Sequence, residues 1–178
     1  MPIRITGGRF KGRIIPTQKG RTRPTAAVVR QALFNIIGDI SNAKFCDLYA
    51  GSAAVGIEAA SRGAGYIEFV ESNARTTKII ENTIAGFDLP RYCVARVRRL
   101  DVKKWVEIST DSFDIIFADP PYLEKPVIEL MSLIPKIIAK LKPDGLFALQ
   151  IGKRFPVPDG FSDSHHFGDD ILYFWRKG

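Results

Sequence analysis

Lys44-Phe45-Cys46-Asp47-Leu48-Tyr49-Ala50-Gly51-Ser52-Ala53-Ala54-Val55-Gly56 runs from a strand through a glycine turn into a helix. Lys44 to Tyr49 is largely apolar, as a buried strand is, and Ala53 to Arg62 continues as a helix. Glycines in such a turn let the backbone approach a bound group without a Cβ clash, and the helix start offers free N–H groups. The alternation recurs downstream. Tyr66 to Glu71, Tyr92 to Val97, Phe113 to Ala118 and Leu146 to Ile151 read as strands, several nearly continuous in apolar residues, as strands buried on both faces tend to be. Asn73 to Gly86, Val102 to Ile108 and Pro126 to Leu141 read as the helices between them. Pro135 is expected to kink or interrupt the last helix, which Lys142-Pro143-Asp144-Gly145 should end. Strand and helix in alternation predict an α/β fold with a parallel sheet and right-handed crossovers.

The two ends of the chain break this pattern. Pro156, Pro158 and Gly160 punctuate a loop, after which Phe161 to Phe167 and Ile171 to Arg176 flank Gly168-Asp169-Asp170 as a terminal hairpin. At the amino end, Arg4 to Gly8 and Arg9 to Ile15 predict two short strands, with a helix from about Thr25 to Ile37. The boundaries expected are therefore a basic extension over 1–40 and a main domain over 41–178.

The chain has 178 residues, 46% of them hydrophobic, enough for one well-buried core. No apolar run is long enough to span a bilayer and no secretory leader is evident, so a soluble cytoplasmic protein without a membrane partner is expected. Cys46 and Cys93 lack metal-ligand spacing and are expected as reduced core residues; no metal is called for. The net charge of +7 is concentrated. Residues 1–38 hold Arg4, Arg9, Lys11, Arg13, Lys19, Arg21, Arg23 and Arg30 and no carboxylate, while the remaining 18 basic and 19 acidic residues nearly cancel. Clustered cations of this kind bind phosphates by releasing counterions, or form a solvated tail. Arg96, Arg98, Arg99 and Lys103-Lys104 either extend such a surface or are solvated strand ends.

Four motifs follow the successive strands. After the first comes the glycine turn, with Asp47 just before it, either holding the loop or facing a ligand. Glu71 ends the second strand, 20 residues after Gly51, where an acid can accept both hydroxyls of a ribose. Asp101 follows the third and can meet the exocyclic amine of an adenine. Asp119-Pro120-Pro121-Tyr122 follows the fourth. Its two prolines fix φ and remove two backbone donors, leaving a rigid pair of acceptors beside an aromatic ring. A carboxylate and a carbonyl can take the two N–H bonds of a base amine while the ring stacks on the base. The order places all four motifs at the carboxyl edge of one sheet, where such folds bind ligands.

On these residues the chain resembles the class I, S-adenosylmethionine-dependent methyltransferases. Within them it resembles the RsmD family, which methylates a guanine N2 of bacterial small-subunit (16S) ribosomal RNA. The resemblance is carried by Gly7-Gly8 to Gly12-Arg13, Arg23-Pro24-Thr25, residues 29–35, 47–52, 56–64 and 69–71, and Asp119 to Tyr122. It implies a Rossmann-like, seven-stranded, mostly parallel sheet with a C-terminal antiparallel hairpin and a small basic β-hairpin and helix ahead of it. It implies S-adenosylmethionine held by Asp47, Tyr49, Ala50, Gly51, Ser52, Gly56, Glu71 and Asp101, and catalysis at Asp119, Pro120, Pro121 and Tyr122. RNA contacts are expected from Arg4, Arg9, Lys11, Arg13, Arg21, Arg23 and Arg30. The partner would be 16S rRNA in the small subunit or an assembly intermediate, and the enzyme a monomer.

Two departures from the family pattern stand out. Ala53 occupies a usual glycine position, so the turn must work with an added methyl whose effect on the cofactor loop stays open at this point, and Ala26-Ala27-Val28 replaces a polar and charged pair. His165 and His166 lie in the terminal hairpin and are expected to be surface or strand filler, and Trp105 and Trp175 packing residues. An adenine-N6 DNA methyltransferase shares the D-P-P-Y chemistry but needs a sequence-reading domain that this length leaves no room for. A silent RNA-binding assembly factor would not need Glu71 and Asp119. A nicotinamide oxidoreductase would need a fuller glycine pattern.

Overall fold

A computed structural model describes residues 3–16 and 26–178 of the chain. In chain order the elements are β1 (Ile3–Arg4), β2 (Ile14–Ile15), α1 (Ala27–Ile37), β3 (Lys44–Leu48), α2 (Ala54–Ser61), β4 (Tyr66–Val70) and α3 (Ala74–Gly86). After a 3₁₀ turn at Leu89–Arg91 come β5 (Val94–Arg98), α4 (Val102–Ile108), β6 (Phe113–Ala118), α5 (Glu124–Ala139), β7 (Leu141–Gly152), β8 (Asp163–Phe167) and β9 (Asp170–Arg176). Seven strands form one sheet in the order β5-β4-β3-β6-β7-β9-β8. The first five are parallel to one another, and β9 and β8 close the sheet as an antiparallel hairpin.

Successive strand side chains point to opposite faces, and both faces are covered. Phe45, Ile67, Phe69, Ile115, Phe117 and Ala148 pack with Leu33 and Phe34 of α1, Ile57 of α2 and Ile80 of α3. Cys46, Leu48, Val70, Ile116, Phe147 and Leu149 pack with Trp105 of α4 and Val127, Leu130 and Ile137 of α5. This is why the strands read as unbroken apolar runs. Cys46 and Cys93 are buried and free, and Trp105 and Trp175 are buried.

Two expectations are corrected. Pro135 lies inside α5 without interrupting it, the helix running on to Ala139. Lys142 to Gly145 do not merely end that helix; they bulge within β7. Leu141 pairs with Phe113 but the next pair is Leu146 with Ile115, so five steps on β7 match two on β6. Asp144 turns the bulge at φ 60°.

β1 and β2 form their own antiparallel pair, with Ile3, Ile5, Phe10 and Ile15 buried in the same cluster as α1 to α3. The carboxylate of Glu58, fully buried on α2, fixes this unit. It accepts from the Thr6 amide at 3.2 Å, from the Thr6 hydroxyl, from Arg30 Nε at 3.3 Å and from Arg62 at 3.0 Å. Arg30 also donates to the Arg4 carbonyl at 2.6 Å. Arg30 is therefore corrected as an RNA-binding residue: it is 1% exposed and spent on an internal ion pair. Its position on the inner face of α1 decides its role. Glu58→Ala would leave the Arg30 guanidinium buried without its carboxylate and should cost ~3–5 kcal/mol in urea unfolding, the usual penalty for breaking a buried pair from one side.

Candidate active site

The carboxyl ends of β3, β4, β6 and β7 meet at a cavity of about 530 Å³. Tyr49 to Ser52, Ala54 and Val55 line it from the β3–α2 turn, Glu71 to Asn73 from the end of β4, and Leu100 to Val102 from beyond β5. Asp119 to Tyr122, Gln150 and Asp170 complete the wall, with Asp47 behind the turn. The four motifs scattered along the sequence thus share one space because parallel strands bring all their carboxyl ends to one edge.

The turn is tight. Tyr49, Gly51 and Ala53 have φ of 59°, 51° and 63°, in the left-handed region. For the two non-glycine residues this conformation costs ~1–2 kcal/mol each. Hydrogen bonds over-determine it. The Gly51 amide donates to Glu71 Oε2 at 3.2 Å, the Asn73 amide to Glu71 Oε1 at 2.8 Å, and the Gly56 amide to Asp47 Oδ2 at 2.9 Å. A Cβ on Gly56 would meet the Phe69 ring at 2.2 Å, so helix and strand lie too close there for any other residue. Ala53 is fully buried in the core and is not among the residues that line the cavity.

Asp47 is 2% exposed, and burial pushes its carboxyl well above the usual range; the Gly56 amide opposes this while the charges of Asp119 and Glu71 add to it. Negative charge has accumulated around the cavity. Asp101 caps α4, its Oδ1 accepting from the Lys104 amide at 2.8 Å, and also faces the cavity.

Asp119 is half-buried at the end of β6, and Pro120 is buried behind it. Among the described residues the Pro120 carbonyl accepts no hydrogen bond, whereas that of Pro121 accepts from the Leu123 amide at 2.6 Å. Tyr122 is held at both ends. Its hydroxyl donates to Asp170 Oδ1 at 2.8 Å and accepts from Gln150 Nε2 at 3.1 Å, its carbonyl accepts from Arg154 at 2.5 Å, and Phe155 meets its ring edge-on at 6.2 Å. Sequence reasoning does not single out Gln150, Arg154 or Asp170. The one signal the chain offers is Gln150, a polar residue inside the apolar run Leu149-Gln150-Ile151.

Arg4, Arg9, Lys11 and Arg13 are exposed, and Arg21 and Arg23 lie outside the described residues. Residues 7–13 pack on Ser61 at the end of α2 and on Gly86 at the end of α3, with the Arg9 amide 2.7 Å from the Ser61 carbonyl and Arg13 2.8 Å from that of Gly86. Both helices start at the cavity and end at the opposite edge of the sheet. Arg9, Lys11 and Arg13 therefore lie at the far end of the molecule from the D-P-P-Y turn. Arg9 stacks over the half-exposed ring of Tyr92 at 4.3 Å. His165 is paired with Asp163 on the hairpin surface, away from the cavity. Among the described residues no helix is long and apolar enough to cross a membrane, and no three His, Cys, Asp or Glu are grouped to hold a metal.

A family model described as conserved hypothetical protein 95 matches residues 3–173. The chain belongs to this family, the RsmD family. The Bacillus subtilis protein YlbH is 30% identical over 166 residues, 90% of this chain and 89% of its own. The Escherichia coli ribosomal RNA small subunit methyltransferase D is 31% identical over 134 residues, covering 74% of this chain and 66% of that one. Among solved structures, the Thermus thermophilus 16S rRNA N2 G1207 methyltransferase (RsmC), in complex with AdoMet and guanosine, matches with a TM-score of 0.76 at 19% identity. That match covers all of this chain and 50% of the RsmC chain. The fold is that of the class I methyltransferases.

In this RsmD-family protein the buried Asp47 gives a stability test. A carboxyl whose folded pKa is raised holds its proton more tightly folded than unfolded. Its contribution is most favourable below the ordinary value of 3.8 and declines as pH rises toward the raised folded value. Asp47→Asn keeps an oxygen to accept from Gly56 and cannot ionise. It should flatten the pH dependence of the melting temperature and raise it at pH 7 by about 2–4 °C, the response to ~1 kcal/mol in a chain of this size.

Proposed function

We propose that the protein transfers the methyl group of S-adenosylmethionine to the exocyclic N2 of a guanine in bacterial 16S rRNA. The observation that carries the proposal is the shared cavity, where a proline-stiffened Asp119 and the Pro120 carbonyl face the same space as the β3–α2 turn, Glu71 and Asp101. Relatives named as ribosomal RNA small subunit methyltransferases support the RNA, and the class I fold supports the cofactor.

The residues present fit the cofactor. A cavity of about 530 Å³ lies in the range that encloses small ligands. The charges of Asp119 and Glu71 both act at Asp47, so a cation beside them is favoured. Glu71 spends two acceptor positions on the Gly51 and Asn73 amides, and a carboxylate offers about four, so two remain for ribose hydroxyls. Asp101 has its second oxygen for an adenine amine. When bound, S-adenosylmethionine supplies a methyl group already activated for in-line displacement, so the protein chiefly positions and stabilises.

The acceptor is the harder partner, because the guanine amino lone pair is delocalised into the ring. Hydrogen bonds accepted by Asp119 Oδ and the Pro120 carbonyl make the nitrogen pyramidal and direct its lone pair toward the methyl. Positive charge arising on N2 during transfer would meet the Asp119 and Pro120 acceptors already in place. The proton that N2 sheds is met first by Asp119. Tyr122, its hydroxyl anchored to Asp170 and Gln150, presents its ring to a base splayed out of the RNA.

The decisive experiment is labelled methyl transfer to small subunits from cells lacking the enzyme, followed by mapping of the labelled nucleotide; label on any group other than a guanine N2 would refute the proposal. Asp119→Ala should lower turnover by at least ~10³-fold while cofactor affinity stays within about twofold, since preorganised acceptors act on the transition state. Replacing Arg9, Lys11 and Arg13 with alanine should weaken RNA binding and lower its salt slope by about 2–3, near one for each phosphate no longer neutralised. Because these residues lie far from the cavity, kcat at saturating RNA should not change; an unaltered salt titration would show that their charge is merely solvated.

A further inference from the structure

Gln150 is 2% exposed in β7 and lines the cavity. Ala118 pairs with Leu149 in parallel register as the last pair of β6 and β7, and Asp119 and Gln150, each one residue further on, both line the cavity. The orientation of the Gln150 amide is fixed by its surroundings. The single hydroxyl hydrogen of Tyr122 is given to Asp170 Oδ1, so the phenol oxygen can only accept from Gln150, and the amide must turn its nitrogen toward it. Gln150 Oε1 is then left buried with no hydrogen-bond partner among the described residues. A buried acceptor without a donor is uncommon in a folded protein and asks what supplies the hydrogen.

We infer that Gln150 Oε1 accepts the N1–H of the target guanine and is the residue that selects guanine over adenine. The inference rests on the guanine-N2 reading above and deepens it. Asp119 and the Pro120 carbonyl can hold the hydrogens of any exocyclic amine, so they do not distinguish the N2 amine of guanine from the N6 amine of adenine. The next position along the base edge does. In guanine the ring nitrogen beside the amine carries a hydrogen, giving two donors side by side, whereas in adenine it is an unprotonated acceptor. An amide oxygen at that position gains a hydrogen bond from guanine and opposes its lone pairs to those of adenine. Asp119 and Gln150 line the same cavity at the ends of adjacent strands, which puts the Gln150 side chain within reach of a base edge held at Asp119.

The test replaces the mapped guanine with 2-aminopurine in reconstituted small subunits. That base keeps the exocyclic 2-amine where guanine has it but leaves N1 unprotonated. The wild-type enzyme should prefer guanine in kcat/KM by about 10- to 100-fold, the discrimination expected when one buried hydrogen bond is replaced by an opposed acceptor. Gln150→Met, similar in length and bulk, should bring the ratio to within about threefold of unity, with cofactor binding retained. Removal of the hydrogen bond to Tyr122 in that variant affects both bases alike, so the ratio isolates Oε1. A wild-type ratio near unity would overturn the inference without any variant, and so would an unchanged ratio in a folded, cofactor-binding Gln150→Met. Failure of the wild type to methylate guanine at all would instead remove the guanine-N2 reading on which the inference rests.

Discussion

The bond between Asp47 Oδ2 and the Gly56 amide ties the end of β3 to the first turns of α2, and much of the molecule is positioned by it. A carboxylate sealed from water is expensive to keep, and here a single amide opposes both burial and the charges of Asp119 and Glu71. The bond sets the depth of the turn between strand and helix. With the turn fixed, Gly51 reaches Glu71 just beyond β4, and α2 presses close enough on Phe69 that only glycine fits at 56. Two residues further along the same helix, Glu58 takes hold of Thr6 and Arg30 and so places the amino-terminal unit. One short stretch therefore anchors the cavity on one side and the basic extension on the other.

Strain in the turn belongs to the same arrangement. Tyr49 and Ala53 adopt left-handed conformations that neither favours, and surrounding bonds hold them there. Ala53 shows why glycine suits that position, and also why alanine is tolerated. Its methyl enters the core, where burial offsets part of the backbone cost, and leaves the cavity wall unchanged.

Much of this is readable from sequence because both faces of the central strands are covered, so runs such as Phe113 to Ala118 are apolar throughout, and because parallel connections send each strand-end motif to the same edge. What escapes reading depends on contacts between distant residues. Arg30 counts as a surface cation until Glu58 is found 28 residues away on another helix. The β7 bulge reads as a turn because Pro143 and Gly145 are turn residues, and only pairing with β6 makes it part of a strand. Pro135 is overruled by the packing of Leu130, Ile134 and Ile137, which holds α5 together across the missing N–H. Gln150 and Asp170 carry no local motif; their meaning comes from the Tyr122 hydroxyl between them.

The distribution of charge follows from incompatible demands. At the strand ends the charges of Asp119 and Glu71 act together on the buried Asp47, an environment that favours a cation. RNA phosphates need the opposite sign. Among the described residues Arg9, Lys11 and Arg13 lie where α2 and α3 finish, and Arg154 is the guanidinium bonded at the D-P-P-Y turn, to the Tyr122 carbonyl. The eight residues of α2 alone span about 12 Å, so an RNA touching both regions must extend well beyond one nucleotide. A lone flexible strand would have to lay its phosphates past the carboxylates to make that reach. On the proposal that Arg9, Lys11 and Arg13 meet phosphates, a folded RNA resting its backbone on the basic tip and projecting a single base into the cavity would avoid that repulsion.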